Sequence, residues 1–441
     1  LIKAMAVAKA AARYEKELKR PVIPIFWIAA DDHDFAEVNH VLLLNRKGEP
    51  CTITYDDEHQ VELPLSEVRL TNEAELQKIK GILVECLGNT DFTDELYAAV
   101  NEAYASGETF VTAFARLMAR FTRDTGLAVF SPGDAEAKRI AIPFFRRIVE
   151  QQETLHRLIE SANQRLKAAG YHIQVEKKPD AAYLFYNSNG RKPVQRAGKG
   201  FAVGDVEFTT EALLDRINEE PEKFSPDVMT RPVFQSFLFP TISQKGGPAE
   251  IAYLAQINAL FDVFDLPAPV HRPRPSVTVV ERRFETFMKE HKISFEELAG
   301  DIEQVVNRVL AETFPHDLED KFIRLRETVE RAFNDFTEET LTFDPSLHDF
   351  AHQTFGKIDF AMKNFEGKVF AAHKRKSKDT RERIYRLWYA LYPERHLQER
   401  GLNVSYFIAK YGFGFLKFLY TSLDSEQTDH QVLYLSEWQD K

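Results

Sequence analysis

The sequence predicts an α/β protein: an open, doubly wound sheet with inserted segments, followed by an antiparallel α-helical coiled-coil arm. Three observations carry this reading. Val22, Ile23, Ile25, Phe26, Trp27 and Ile28 form a nearly continuous apolar run of strand length that stops at Asp31-Asp32-His33-Asp34, the pattern of a strand covered on both faces. Leu127–Phe130 repeats it, ending in Ser131-Pro132-Gly133-Asp134 and opening a helical stretch. Much later, Leu318, Phe322, Leu325, Val329, Ala332 and Phe336, then Ile358, Met362, Phe365, Val369 and Ala372, recur at spacings of four and three, the period of a coiled coil.

Taken in order, Leu1 to about Lys19 reads as an Ala- and Lys-rich amphipathic helix stopped by Pro21. After the first strand, His40–Leu44 and Cys51–Tyr55 form a hairpin that turns through Asn45-Arg46-Lys47-Gly48. Three helices follow between Asn72 and Arg123, separated by Gly88-Asn89-Thr90-Asp91 and Ser106-Gly107. The second strand leads into one long helix ending near Ala169. Short alternating runs from His172 to Phe208, with a turn at Ser188-Asn189-Gly190, read as an antiparallel β insertion. The expected division is a core over residues 1–280, with a helical insertion at about 60–125 and a β insertion at about 172–208. An arm over 281–378 and C-terminal helices over 379–441 that return to the core complete it. The two arm helices are expected at about 22 and 30 residues.

A chain of 441 residues can bury a large core. Its 57 Lys and Arg against 68 Asp and Glu leave a net charge of -11, which argues against nucleic acid or an anionic membrane as the partner. An anionic ligand must therefore meet a local basic site. No run reaches the roughly 20 apolar residues of a membrane span. Cys51 and Cys86 are the only cysteines, too few for a disulfide framework or a four-thiolate zinc site, and a reducing cytoplasm is the expected location.

Three segments carry candidate chemistry. Asp31, Asp32, His33 and Asp34 stand where α/β sheets bind ligands, at the carboxyl end of a strand. Close carboxylates beside an imidazole suit general acid–base work, and Asp32 and Asp34 are candidate Mg2+ ligands; the structural alternative is that Asp31 or Asp32 caps the next helix. His40 is a further candidate ligand. Next, Arg231 and Gln235 precede Lys245-Gly246-Gly247-Pro248, where paired glycines open a helix and free backbone N–H groups for an anion, with Glu250 and Tyr253 on the same helical stripe. A purely structural turn is the competing reading. Lastly, Arg272 and Arg274, with Ser276 close behind them, concentrate positive charge suited to clamping carboxylate or phosphate. Lys374–Lys378 reads as a solvated helix end.

Three stretches together resemble the BshC family, the cysteine-adding enzymes of bacillithiol biosynthesis: IPIFWIAADDHDF at Ile23–Phe35, TRPVFQSFLFPTISQKGGPAEIAYLAQ at Thr230–Gln256 and NVSYFIAKYG at Asn403–Gly412. The resemblance runs through essentially the whole chain. It implies a Rossmann-like core related to those of class I aminoacyl-tRNA synthetases, connecting insertions and a homodimer formed through the arm. It also implies the joining of L-cysteine to glucosaminyl-malate, the last step of bacillithiol synthesis. The family's acidic motif falls on Asp31-Asp32-His33-Asp34, where Glu often replaces Asp31, and its remaining motifs fall on Arg231-Pro232, Gly246-Gly247-Pro248 and Pro273-Arg274-Pro275-Ser276. A glycine-rich TGQQxGLFTGP segment stands before the first helix in the family and is absent from the sequence given, which is therefore expected to fold but not to complete ligation without it. Amide formation from a free carboxylate is uphill in water, so ATP and Mg2+ are expected on chemical grounds. Two other functions compete. One is a non-catalytic nucleotide-binding scaffold; the other is a metal-dependent hydrolase using Asp31–Asp34 and His40.

Overall fold

The computed structural model describes residues 1–56, 63–188, 190–312 and 316–438. They fall into two units, one of residues 1–46, 50–279 and 397–441, the other of residues 47–49 and 280–396.

In the first unit, helix Ile2–Leu18 buries Ala4, Met5, Ala6, Ala8, Ala10 and Ala11, small side chains that let it lie close against strand Ile25–Trp27. That strand pairs in parallel with Ala128–Phe130, placing Ile25 opposite Ala128 and Trp27 opposite Phe130. It is shorter than the apolar run predicts. Pro21 and Pro24 have no N–H for a ladder, and Ile23 lies on the surface. Parallel pairing requires a long crossover, supplied by the hairpin His40–Leu44 and Pro50–Thr54 and by helices Glu73–Leu87, Thr93–Ala103 and Phe110–Phe121. Asn72 and Thr109 cap the first and last of these helices through their side chains.

The single long helix expected after Phe130 is three helices, Ala135–Ile140, Ile142–Glu150 and Gln152–Ala168. Pro143 sits in the first turn of the second helix, and its ring nitrogen cannot donate to the preceding turn, so the axis restarts there. The β insertion is an antiparallel sheet ordered Val206–Phe208, Gly200–Val203, Arg191–Ala197, Ala181–Asn187 and Phe224–Pro226. Its last strand lies outside the predicted span. Asn189, at the centre of the predicted turn, lies outside the described residues.

A second parallel pair joins Ser243–Gly246 to Val270–Pro273, with helix Pro248–Ile257 in the crossover. Among the described residues the continuous doubly wound ladder is thus replaced by two short parallel pairs. Aromatic packing links them: Phe239, just before the second pair, stacks edge-on against Phe130 at 4.9 Å and reaches Trp27 at 6.5 Å. Helix Arg231–Leu238 adds Phe234 against Trp27 and Phe144. The C-terminal segment belongs to this unit. The Asn403 amide donates to the Leu42 carbonyl at 2.9 Å, and strand Gln431–Tyr434 pairs with Val277–Val280.

In the second unit, helices His316–Phe343 and His348–Lys376 are 28 and 29 residues long, about 42 and 43 Å at 1.5 Å per residue. The turn between them is closed by the Asp344 carboxylate accepting from the Ser346 amide. Phe322 packs on Phe365, Arg326 pairs with Asp359 at 3.0 Å and Phe333 packs on Phe355, so partner numbers fall along one helix as they rise along the other. Helix Lys378–Leu391 groups with this unit; the chain rejoins the first unit at Leu397, later than the expected return near 379.

Candidate functional site

The turn after strand Ile25–Trp27 sends its carboxylates to different partners. Asp31 Oδ1 accepts from Lys138 Nζ at 3.0 Å, and the same ammonium donates to the Phe224 carbonyl at 2.7 Å. Lys138 is 1% exposed. Burial pushes its amine below the ordinary lysine range, with the Asp31 charge resisting. Arg191, from the β insertion, lies over the Phe185 ring and donates to Ser225 Oγ at 3.1 Å and to the Pro226 carbonyl at 3.2 Å. Its guanidinium is 3.9 Å from Asp32 Oδ1. Asp32 also accepts from the His33 amide at 2.8 Å, and the His33 ring stands 3.6 Å from it, half-exposed. Asp34 caps the short turn Phe35–Glu37 by accepting from the Glu37 amide, so the capping role expected of Asp31 or Asp32 belongs to the third carboxylate. The His40 ring hydrogen-bonds Asn39 Oδ1 at 3.2 Å.

Segment Phe224–Arg231 joins this turn to the second part of the site. Asp227 is buried. Its Oδ1 accepts from the Met229 and Thr230 amides at 2.9 and 3.0 Å and from the Thr230 hydroxyl at 3.1 Å, while Oδ2 pairs with Lys177 at 2.7 Å. Three cations, Lys138, Arg191 and Lys177, thereby meet three carboxylates, Asp31, Asp32 and Asp227. The repulsion that suggested Mg2+ from sequence is offset by protein cations. Among the described residues no three His, Cys, Asp or Glu side chains converge as a metal cage.

Arg231 opens the next helix. It donates to the Tyr253 hydroxyl and stands 3.9 Å from Glu250 Oε1. Glu250 accepts from Lys3 Nζ at 2.6 Å and from the Gly247 amide at 2.8 Å. Burial alone would raise its carboxyl pKa, yet Lys3, that amide and Arg231 hold it below the ordinary range. Arg274 pairs with the buried Glu399 at 2.9 Å, its backbone amide donates to the Gly246 carbonyl at 2.7 Å, and Arg400 stands beside it. Lys3, Arg231, Arg274 and Arg400 thus surround Glu250 and Glu399, leaving an excess of positive charge around a glycine.

The other predicted binding residues are engaged elsewhere. Lys245 donates to the Ser425 carbonyl at 2.6 Å, and Lys245, Arg272 and Arg13 share Glu426 at 3.3, 2.8 and 3.2 Å. Burial would raise the Glu426 carboxyl, but these cations hold it below the ordinary range. Ser276 Oγ lies 2.8 Å from His430 Nδ1, and the Gln235 amide oxygen accepts from Gln244. These contacts tie down the C-terminal segment and the second parallel pair. Gly246 and Gly247, Glu250, Tyr253, Arg231 and Arg274 come together, whereas Lys245, Arg272, Ser276 and Gln235 turn away.

Sequence reasoning missed Lys3, Lys138, Lys177, Arg191, Asp227, Glu399 and Arg400. A usable signal existed for Asp227 alone: an Asp two and three residues before Met229 and Thr230, at the entry to a helix, is an Asx-turn pattern.

Comparison with known proteins adds an independent line. Residues 1–275 match the N-terminal Rossmann-like domain of the family described as bacillithiol biosynthesis BshC, and residues 277–435 match its C-terminal coiled-coil domain. A relative from Koribacter versatilis is 33% identical over 93% of this chain and 76% of its own length. One from Salinibacter ruber is 30% identical over 94% and 76%, and one from Bacillus cytotoxicus 28% over 98% and 81%. All three carry the name "Putative cysteine ligase BshC".

Proposed function

The chain belongs to the BshC family of bacillithiol biosynthesis, and from that premise we propose that it is a ligase joining the carboxyl group of L-cysteine to the amine of glucosaminyl-malate in the last step of the pathway. The observation that carries this reading is the positive excess around Gly247, which suits a substrate that brings two carboxylates. The synthetase-like reading of the core goes with it. The hydrolase alternative asks Asp31–Asp34 and His40 to converge on a metal; instead Asp31 pairs with Lys138, Asp34 caps a turn and His40 meets Asn39.

In the reaction, the chain's residues bind and orient. Lys3, Arg231 and Arg274, paired within the chain, set the positive field that draws the anionic end of the substrate to Gly247. Asp31 and Asp32, aimed by Lys138 and Arg191, face the amine that must lose a proton, and His33, half-exposed beside Asp32, moves that proton to solvent. The basic side chains at Gly247 fit either that anionic end or the phosphates of ATP, and ATP would activate the cysteine carboxyl by transferring to it a phosphoryl or adenylyl group that leaves as phosphate or AMP when the amine attacks. A Mg2+ arriving with those phosphates needs only one or two protein carboxylates, and Asp32 is the exposed candidate. The site of action is the reducing cytoplasm, consistent with two free cysteines; among the described residues no helix is long and apolar enough to cross a membrane.

The test is direct: the protein carrying the family's glycine-rich segment ahead of Leu1 is incubated with cysteine, glucosaminyl-malate and Mg-ATP, and bacillithiol is read by mass. Product is expected from wild type. His33→Ala should lose at least about tenfold in rate while keeping its circular dichroism and melting temperature, because the ring is half-exposed. Absence of product from wild type rejects the ligase reading; equal loss of fold and activity in the variant rejects the proton role.

The arm is proposed as the homodimer contact. Leu318, Leu325, Phe336, Phe343, Phe350, Phe360 and Phe365 are exposed on its two helices, more apolar surface than a monomer normally leaves in water. Replacing Leu325 and Val329 by Glu should convert dimers to monomers in multi-angle light scattering; an unchanged dimer would remove the arm from the interface.

A further inference from the structure

Among the described residues, Arg400 is the cation at Gly247 held only by a long ion pair. Lys3 is bound to Glu250, Arg231 to the Tyr253 hydroxyl, and Arg274 to Glu399. The Arg400 guanidinium makes no side-chain hydrogen bond among the described residues. Its ion pair with Glu399 Oε1 spans 4.0 Å, and that oxygen is already held by Arg274 at 2.9 Å.

The backbone that carries Arg400 is nonetheless fixed. Gln398 donates to the Val279 carbonyl at 2.9 Å and accepts from the Val279 amide at 2.8 Å, Glu399 accepts from the Val277 amide at 2.6 Å, and the Asn403 amide donates to Leu42. A rigid frame therefore presents a free fork. Its direction is toward Gly247: a Cβ added to that glycine would lie 3.3 Å from Arg400 Nη2, 3.5 Å from Arg274 Nε and 3.7 Å from Glu250 Oε2. The missing side chain leaves room where the guanidinium groups meet. Partial burial and the neighbouring Arg274 lower the Arg400 guanidinium from its ordinary range, with Glu399 and Glu250 opposing.

We infer that Arg400 is a substrate-binding residue that takes two oxygens of a dianionic group bidentately at Gly247. The ligand chemistry is a pair of carboxylates or a phosphoryl group, since both offer oxygen pairs matching a planar guanidinium. Arg400 is thus a specificity-determining residue contributed by the C-terminal segment to a site otherwise built from residues 3–274. The identity of the anion as part of a ligation substrate rests on the reading above; the binding role of Arg400 does not.

Calorimetric titration of the full chain with L-malate and, separately, with inorganic pyrophosphate distinguishes the two sources of the dianion. Wild type should bind one of them, and Arg400→Gln should weaken that Kd by at least about tenfold, with an unliganded melting temperature no lower than wild type because a repelled charge has been removed. Arg400→Lys, which keeps the charge and loses the fork, should fall between the two and serves as the reporter if the Gln variant does not fold. Unchanged affinity in both variants, or no binding of either anion by wild type, overturns the assignment. The ligation assay run alongside separates the two claims. Anion binding that depends on Arg400 without bacillithiol formation upholds this inference and rejects the ligase, whereas product formation with Arg400-independent binding does the reverse.

Discussion

Replacing Lys138 with Met is expected to lower unfolding free energy by about 3–5 kcal/mol, since removing one member of a buried ion pair strands the other. Lys138 is 1% exposed and the Asp31 side chain 19%, so little water is available to solvate the orphaned carboxylate, and the Phe224 carbonyl loses its donor as well. The double variant Lys138→Met/Asp31→Asn removes both charges and should recover a large part of that loss, the non-additivity that marks a direct pair. Urea denaturation of wild type, both single variants and the double variant measures the coupling. A single-variant cost below about 1 kcal/mol, the range of a solvated surface pair, would show that the ammonium does not hold the strand end. Bacillithiol formation should be lost in the single variant and should stay lost in the stabilised double variant, because stability returns without the Asp31 carboxylate.

Asp227→Ala should be about as costly, again about 3–5 kcal/mol. One buried carboxylate there satisfies two backbone amides, the Thr230 hydroxyl and the Lys177 ammonium, and Ala supplies no acceptor for any of them. Asp227→Asn keeps an oxygen for the amides and forfeits only the charge, so it should cost clearly less. The two substitutions therefore separate hydrogen-bond geometry from the ion pair. The Arg231 amide donates to the Asp227 backbone carbonyl at 2.8 Å, so loosening this turn should also displace the Arg231 guanidinium and raise KM for the anionic substrate. Equal denaturation midpoints for the Ala and Asn variants would contradict this reading of the turn.

Cap and turn chemistry was legible in the sequence because it is local. The hairpin of His40–Leu44 with Pro50–Thr54 and the heptad helices depend on residues a few positions apart, as do the Asn72 and Thr109 caps, which the sequence reading did not single out. The helix break at Pro143 was legible too, though it was read through as one helix. The acidic turn was placed correctly at the end of strand Ile25–Trp27, but the division of labour among its carboxylates was not visible. Asp34 is a cap because Phe35–Glu37 tightens into a 3-10 turn, and Asp31 is free to pair because Lys138 arrives beneath it.

By itself, then, the sequence determined the helices, the apolar strand ends, the arm and the family to which the chain belongs, all readable from local periodicity or from contiguous motifs. Only the tertiary structure decided which charges meet. Lys138 finds Asp31 across 107 residues of chain, Lys3 finds Glu250 across 247 and Lys245 finds Ser425 across 180. Lys245, Arg272 and Arg274 have the same residue types whether they hold a ligand or a carboxylate of their own chain. The difference lies in Glu426 and Glu399, which the returning C-terminal segment brings to them. Burial then fixes the outcome, because a cation removed from water must be paired by whatever anion the fold delivers, and a linear sequence carries no local trace of that delivery.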